Sequence, residues 1–146
     1  MTKALLVIDA QIGLLEGSSA VYQKDDVLAC IESLLETARR NQREIVYVMD
    51  DDVGRDNPAD HPIHPRIAPL EHETVVHKTS TSAFFRTGLD ELLKAKGIQQ
   101  LVVAGCKTEY CVDTSCRHAI GLGYDVTLVA DGHSSTDNGV LSGAQE

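Results

Sequence analysis

The chain has 146 residues, the size of one ordinary domain, so a single domain spanning 1–146 is expected, long enough to bury a core without disulfides or a metal. With 42% hydrophobic and 24% charged residues, wholesale disorder is excluded, and no apolar run is long enough to cross a bilayer. The net charge of −9 argues against a nucleic-acid backbone or an anionic membrane as the main partner.

The chain opens Met1-Thr2-Lys3 and passes straight into Leu5-Leu6-Val7-Ile8. That run is too short for a signal peptide, so the expected setting is cytoplasmic, with thiols free. It ends in a polar residue, Asp9, and reads as a strand buried on both faces. Gln11 to Ala20, with two glycines and two serines, reads as a loop. From Asp25 to Arg40, apolar Val27, Ile31, Leu34, Leu35 and Ala38 share one helical face. Glu44 to Met49 is a second strand. Asp50 to Leu70, rich in acids, prolines and histidines, is a long surface excursion of the functional kind. Thr74 to Lys78 is a third strand. Leu89, Leu92 and Leu93 mark a helix that Gly97 ends. Leu101 to Ala104 is a fourth strand, Cys111 to Leu122 a helix, and Val126 to Val129 a fifth strand. Strands alternating with helices predict an α/β fold of three layers, α-β-α, with a mostly parallel sheet and helices on both faces. Ser142 to Glu146 reads as the opening of another helix, so the C-terminal end is expected to be either incomplete or the start of a tail.

In open α/β sheets ligands bind beyond the carboxyl ends of the strands. The residues there are Asp9, then Asp50 with Asp51 and Asp52, then Lys78, then the segment from Gly105 to Cys111, and last Asp131. An acid, a lysine and a cysteine on one rim are the raw material for catalysis by a thiolate. Cys111 at the amino end of a helix gains from its dipole, which is expected to lower the thiol pKa. Lys78 favours the thiolate further. Asp9 can take the thiol proton and return it to a leaving group. The backbone N–H of Cys111, with another from the preceding loop, can hold an oxyanion.

Three groups of residues carry a family resemblance: Leu6-Val7-Ile8-Asp9-Ala10-Gln11; Val76-His77-Lys78 followed by Ser82-Ala83-Phe84; and Ala104-Gly105-Cys106-Lys107-Thr108-Glu109-Tyr110-Cys111-Val112-Asp113-Thr114, with Arg117, Ala119, Gly123-Tyr124 and Asp131. In this order they resemble the isochorismatase-like cysteine hydrolases, which include nicotinamidases, N-carbamoylsarcosine amidases and streptothricin hydrolases. The resemblance implies a Rossmann-like sheet of the isochorismatase type and a triad of Asp9, Lys78 and Cys111. It implies a Cys111 thioester formed from a small amide or lactam, a cis peptide at Cys106–Lys107, and an oxyanion hole from the N–H groups of Lys107 and Cys111. It also implies a homo-oligomer. Some relatives instead hydrolyse a vinyl ether without a cysteine nucleophile; the presence of Cys111 favours amides. A thiol redox sensor is the non-enzymatic alternative.

Nicotinamidases bind a metal through an aspartate and histidines after the second strand. The Asp-x-His start of that motif is missing here, so neither a catalytic metal nor another cofactor is expected. His61 and His64 read as part of a solvated, proline-restricted loop. Gln11, Phe84 and Tyr110 are the candidate substrate-pocket residues, although Gln11 and Tyr110 read equally well as satisfying local backbone. Phe85 is assigned to the core and Asp131 to a turn. Cys106 and Cys116 read as structural thiols.

Overall fold

The computed structural model describes residues 2–137 and 143–144. The five apolar runs form strands β1 (Lys3–Ile8), β2 (Glu44–Asp50), β3 (Thr74–Lys78), β4 (Gln100–Cys106) and β5 (Asp125–Ser134). All pair in parallel, in the order β3-β2-β1-β4-β5. Four helices are α1 (Ile12–Leu15), α2 (Lys24–Arg40), α3 (Leu89–Ala95) and α4 (Asp113–Gly121).

Side-chain alternation along β1 divides the core in two. Leu6 and Ile8 pack with Leu89 and Leu93 of α3 and Ala119 of α4. Leu5 and Val7 face the other way, onto Val27, Leu28, Ile31 and Leu35 of α2. Both faces of the sheet are therefore covered, as its near-continuous apolar strands require. Within α2, Asp25 and Asp26 lie in the first turn and Arg39 and Arg40 in the last, each complementing the helix dipole.

The strand order reverses between β1 and β4, and this is where open sheets of this kind form a crevice. The close approach of these two strands depends on Gly105. Its φ is +136°, and a Cβ there would collide with the Ile8 carbonyl.

Three local expectations need correction. The stretch expected as one helix from Cys111 starts earlier, with a π-helical turn at Thr108–Val112 that runs into α4. Such turns occur mostly as short insertions and often at functional sites. The fifth strand continues to Ser134, after a register shift against β4 between Val103 and Gly105. Asp131 consequently lies on a strand, not in a turn. The helix expected from Ser142 falls outside the described residues, apart from a turn at 143–144.

The long 51–73 segment is tethered. It contains 3-10 turns at Pro58–Asp60 and Pro65–Ile67, capped by the side chains of Asn57 and His64. Ile67 is buried, and Glu73 accepts two hydrogen bonds from Arg39 of α2 at 2.8 Å each.

Candidate active site

Asp9 follows β1 with φ at +49°, in the left-handed region that Asp tolerates better than most residues. Its N–H donates to the Val48 carbonyl at 2.8 Å, fixing the turn against β2. Lys78 ends β3, at the edge of the sheet, and its side chain reaches inward with no solvent exposure. Cys111 sits in the π-helical turn after β4.

These three side chains, 102 residues apart in sequence at the extremes, meet. Lys78 Nζ lies 3.1 Å from Asp9 Oδ2 and 3.2 Å from Cys111 Sγ. The same nitrogen is 3.1 Å from Asp50 Oδ2 and donates to the Ser80 carbonyl at 2.9 Å. The second Asp9 oxygen, Oδ1, is buried and has no hydrogen-bond partner among the described residues.

The electrostatics correct the expected low thiol pKa. Burial and the adjacent Asp9 carboxylate push Cys111 up to about 12, against the pull of Lys78. Burial also raises Asp9 to about 6; Lys78 and the Cys111 thiol oppose the rise, and the charge of Asp50 adds to it. Burial pulls Lys78 down, but Asp9, Cys111 and Asp50 outweigh it and leave the ammonium above its ordinary value. The resting arrangement is a thiol beside a carboxylate with a fixed ammonium between them. The Asp9 carboxylate and the Cys111 sulfur lie within 4.8 Å of each other, so a proton can pass between them without leaving the cluster.

The cavity in front of Cys111 has a volume of about 260 Å³ and is lined by Asp9, Asp50, Lys107, Tyr110 and Cys111, with Leu14, Val53 and Thr81. A larger cleft of about 630 Å³ runs along Cys30, Asp131 and His133 and shares no lining residue with it. The smaller one is the candidate site, because the reactive groups face it. The Cys106–Lys107 peptide is cis.

Tyr110 lines the cavity and is 52% exposed. Gln11 and Phe84 do not line it. The Gln11 amide is fully buried and committed: Nε2 donates to the carbonyls of Asp50 at 3.1 Å and His61 at 2.8 Å, and Oε1 accepts from Asp50 N–H at 3.0 Å. It straps the end of β2 instead of reading a substrate. Phe84 packs into the core against His118 and Tyr124, while Phe85, expected inside, is 46% exposed beneath the Arg86 guanidinium. Neither ring takes its expected place: Phe84 is in the core and Phe85 on the surface.

Asp50 was missed as a member of the cluster. The sequence placed it at the end of β2, but its register beside Lys78, which makes the two side chains cross-strand neighbours, emerges only from the fold.

A nicotinamidase-like metal beside Asp50 does not fit this arrangement. One Asp50 oxygen faces the Lys78 ammonium and the other accepts from Asp52 N–H at 2.9 Å. His61 and His64 do not converge with each other: His64 Nε2 meets Glu16 at 2.8 Å, while His61 meets His77 of β3 across Asp51. Asp51 Oδ1 lies 3.1 Å from His61 Nε2 and 2.8 Å from His77 Nδ1, with the two rings stacked. These three could hold a divalent cation, but none of them lines the cavity. All four cysteines are free thiols, and Cys106 is fully buried.

A sequence model described as the isochorismatase domain matches residues 3–139. The chain belongs to the isochorismatase family. Two streptothricin hydrolases from Streptomyces noursei are 35% and 36% identical over 141 residues. Each alignment covers 92% of this isochorismatase-family chain, against 55% and 50% of the respective relative. The chain thus spans about half the length of those curated relatives. Among solved structures, an isochorismatase from Pseudomonas putida KT2440 superposes with a TM-score of 0.93 at 34% identity, covering 99% of this chain and 78% of that one. An N-carbamoylsarcosine amidase from Thermoplasma acidophilum gives 0.84 at 26% identity, covering 95% and 87%. No helix among the described residues is long and apolar enough to cross a membrane.

Proposed function

We propose that this isochorismatase-family chain hydrolyses a carbon–nitrogen bond in a small amide or lactam through a Cys111 thioester. The observation that carries the reading is the single ammonium, Lys78 Nζ, 3.1 Å from Asp9 and 3.2 Å from the Cys111 sulfur beside a cavity of about 260 Å³. The relatives named streptothricin hydrolase and N-carbamoylsarcosine amidase support it.

Asp9 accepts the thiol proton as sulfur attacks the substrate carbonyl carbon. The carbonyl oxygen becomes an oxyanion, which accepts hydrogen bonds from the backbone N–H groups of Lys107 and Cys111. Asp9 then gives its proton to the departing nitrogen. The carbon–nitrogen bond breaks, and an amine or ammonia leaves behind an acyl thioester on Cys111. For a lactam, the amine stays attached to the acyl group. Water attacks the thioester with Asp9 as base, releasing the carboxylate and restoring the thiol.

The test is a panel of small primary amides and lactams, scored for ammonia or ring opening and, by mass spectrometry, for acyl adducts on Cys111. Turnover with an adduct at Cys111, lost in Cys111→Ala, supports the reading. Full activity in Cys111→Ala or Cys111→Ser overturns it. Activity that survives alkylation of Cys111 points to vinyl ether hydrolysis instead.

A further inference from the structure

The proton transfer just described changes the charge that Lys78 faces. Before it, the ammonium lies between two carboxylates and a neutral thiol; after it, Asp9 is neutral and sulfur carries the charge. One partner takes no part in that transfer. Asp50 Oδ2 lies 3.1 Å from Lys78 Nζ, while Asp50 Oδ1 accepts from Asp52 N–H at 2.9 Å. Gln11 grips both backbone groups of Asp50, at 3.0 and 3.1 Å, from a fully buried position. The pairing of Asp50 with Lys78 across β2 and β3 fixes the register of the contact. A carboxylate oxygen of Asp9, one of Asp50 and the Cys111 sulfur all lie within 4.8 Å of one another.

We propose that Asp50 is a positioning residue of the Asp9–Lys78–Cys111 cluster, anchoring the Lys78 ammonium while Asp9 is protonated. Its negative charge also adds to the raised pKa of Asp9. No bond to Asp50 forms or breaks. Its two oxygens divide the work, one toward the ammonium and one toward the turn that follows β2. Without it, a protonated Asp9 leaves Lys78 held by the Ser80 carbonyl and the sulfur alone. The ammonium then loses its fixed counter-charge at the moment the thiolate needs it. The charged and titratable groups facing Asp9 are Lys78 from β3, Asp50 from β2, Cys106 from β4 and Cys111 from the π-helical turn, with Lys107 at the cavity edge.

The inference rests on the proposed cysteine chemistry, but its test needs no substrate. The rate of iodoacetamide alkylation at Cys111, followed by mass spectrometry, is measured against pH in the unmodified protein and in Asp50→Asn. The substituted amide keeps the shape of the carboxylate and offers one acceptor oxygen in place of two. In the unmodified protein the rate falls as pH drops through about 6, as Asp9 protonates. In Asp50→Asn this acid limb moves to lower pH and the plateau falls on the order of tenfold. Asp50→Glu, which restores the charge, returns the limb toward its original position. Thermal melting of each variant is recorded alongside.

A limb at the same pH in Asp50→Asn overturns the proposal. If the plateau or melting temperature drops but the limb stays, Asp50 has a structural role only. An unmodified protein without an acid limb also overturns it. If the limb moves as expected but no amide is turned over, the amidase reading fails while the positioning role stands.

Discussion

The Lys78 ammonium lies 3.2 Å from the Cys111 sulfur, at the tip of a side chain with no exposure to solvent. A lysine buried this way is held by the two carboxylates it bridges, Asp9 and Asp50. Lys78→Met keeps the length and removes the charge, leaving the buried Asp9 and the partly buried Asp50 uncompensated. The expected loss is about 3–5 kcal/mol of folding stability, together with loss of Cys111 reactivity. The sign with pH follows from Asp9, whose folded value of about 6 exceeds its ordinary 3.8 and rises further without the ammonium. A carboxyl raised on folding destabilises above its unfolded value, so the deficit is largest at neutral pH and closes as pH falls toward 4. Urea denaturation at several pH values checks this. A deficit that does not change with pH would mean that removing the ammonium leaves the titration of Asp9 unaltered.

The thiol itself is a weak acid, raised to about 12 by burial and by Asp9. An isolated thiolate would therefore give a rate that climbs steadily into the alkaline range. In the proposed mechanism the cluster behaves differently, because the proton lost by sulfur passes to Asp9. The number of bound protons is then the same in the resting and reactive forms, and reactivity is flat wherever that number is constant. The expected profile of kcat/KM is a plateau above about 6 with a fall below it. A rate that instead rises through the range of an ordinary thiol, near pH 8.5, would place Cys111 outside the influence of Asp9.

The sheet could be read from the sequence because the strands are short apolar runs separated by helical and loop patterns, as in Leu5-Leu6-Val7-Ile8 before Asp9. The same pattern brought Asp9, Lys78 and the 105–111 segment to one rim. What it could not resolve was the direction of individual side chains. Asp50, Asp51 and Asp52 look alike as a run, yet Asp50 joins Lys78 and Asp51 joins His61 and His77. That division depends on strand register and on the fold of the following loop, both set by contacts distant in sequence. Gln11 looked available to a substrate because its partners, Asp50 and His61, lie 39 and 50 residues away. The thiol pKa was misjudged for a related reason. A helix end and a lysine are visible locally, whereas the depth of burial and the opposing charge of Asp9 emerge only on folding.

Because the acid after β2 faces an ammonium, the proposed hydrolysis runs on charges the chain itself supplies. Dialysis against a chelator is expected to leave the rate of amide turnover unchanged. Loss of turnover on chelation and its recovery with added zinc, with matched protein concentration and fold content, would show that a metal takes part.

The two adjacent phenylalanines give a test of packing against exposure. Phe84 is 7% exposed and lies between the rings of His118 and Tyr124, with centroid distances of 5.5 and 5.8 Å. It belongs to the core cluster that also holds Leu89 and Leu93 of α3. Removing its ring leaves a cavity that well-packed neighbours fill only in part, so Phe84→Ala is expected to cost about 3–5 kcal/mol. Phe85 is 46% exposed, and the Arg86 guanidinium lies 5.1 Å from its ring centroid. An exposed contact of this kind contributes about 0.5–1 kcal/mol at most, so Phe85→Ala should leave the denaturation midpoint almost unchanged. Neither ring lines the cavity at Cys111. Phe84→Ala should therefore lower stability with little change in KM at temperatures where the variant stays folded. Paired denaturation and KM measurements on the two variants decide the matter. A raised KM in Phe84→Ala with stability intact would return that ring to the substrate pocket.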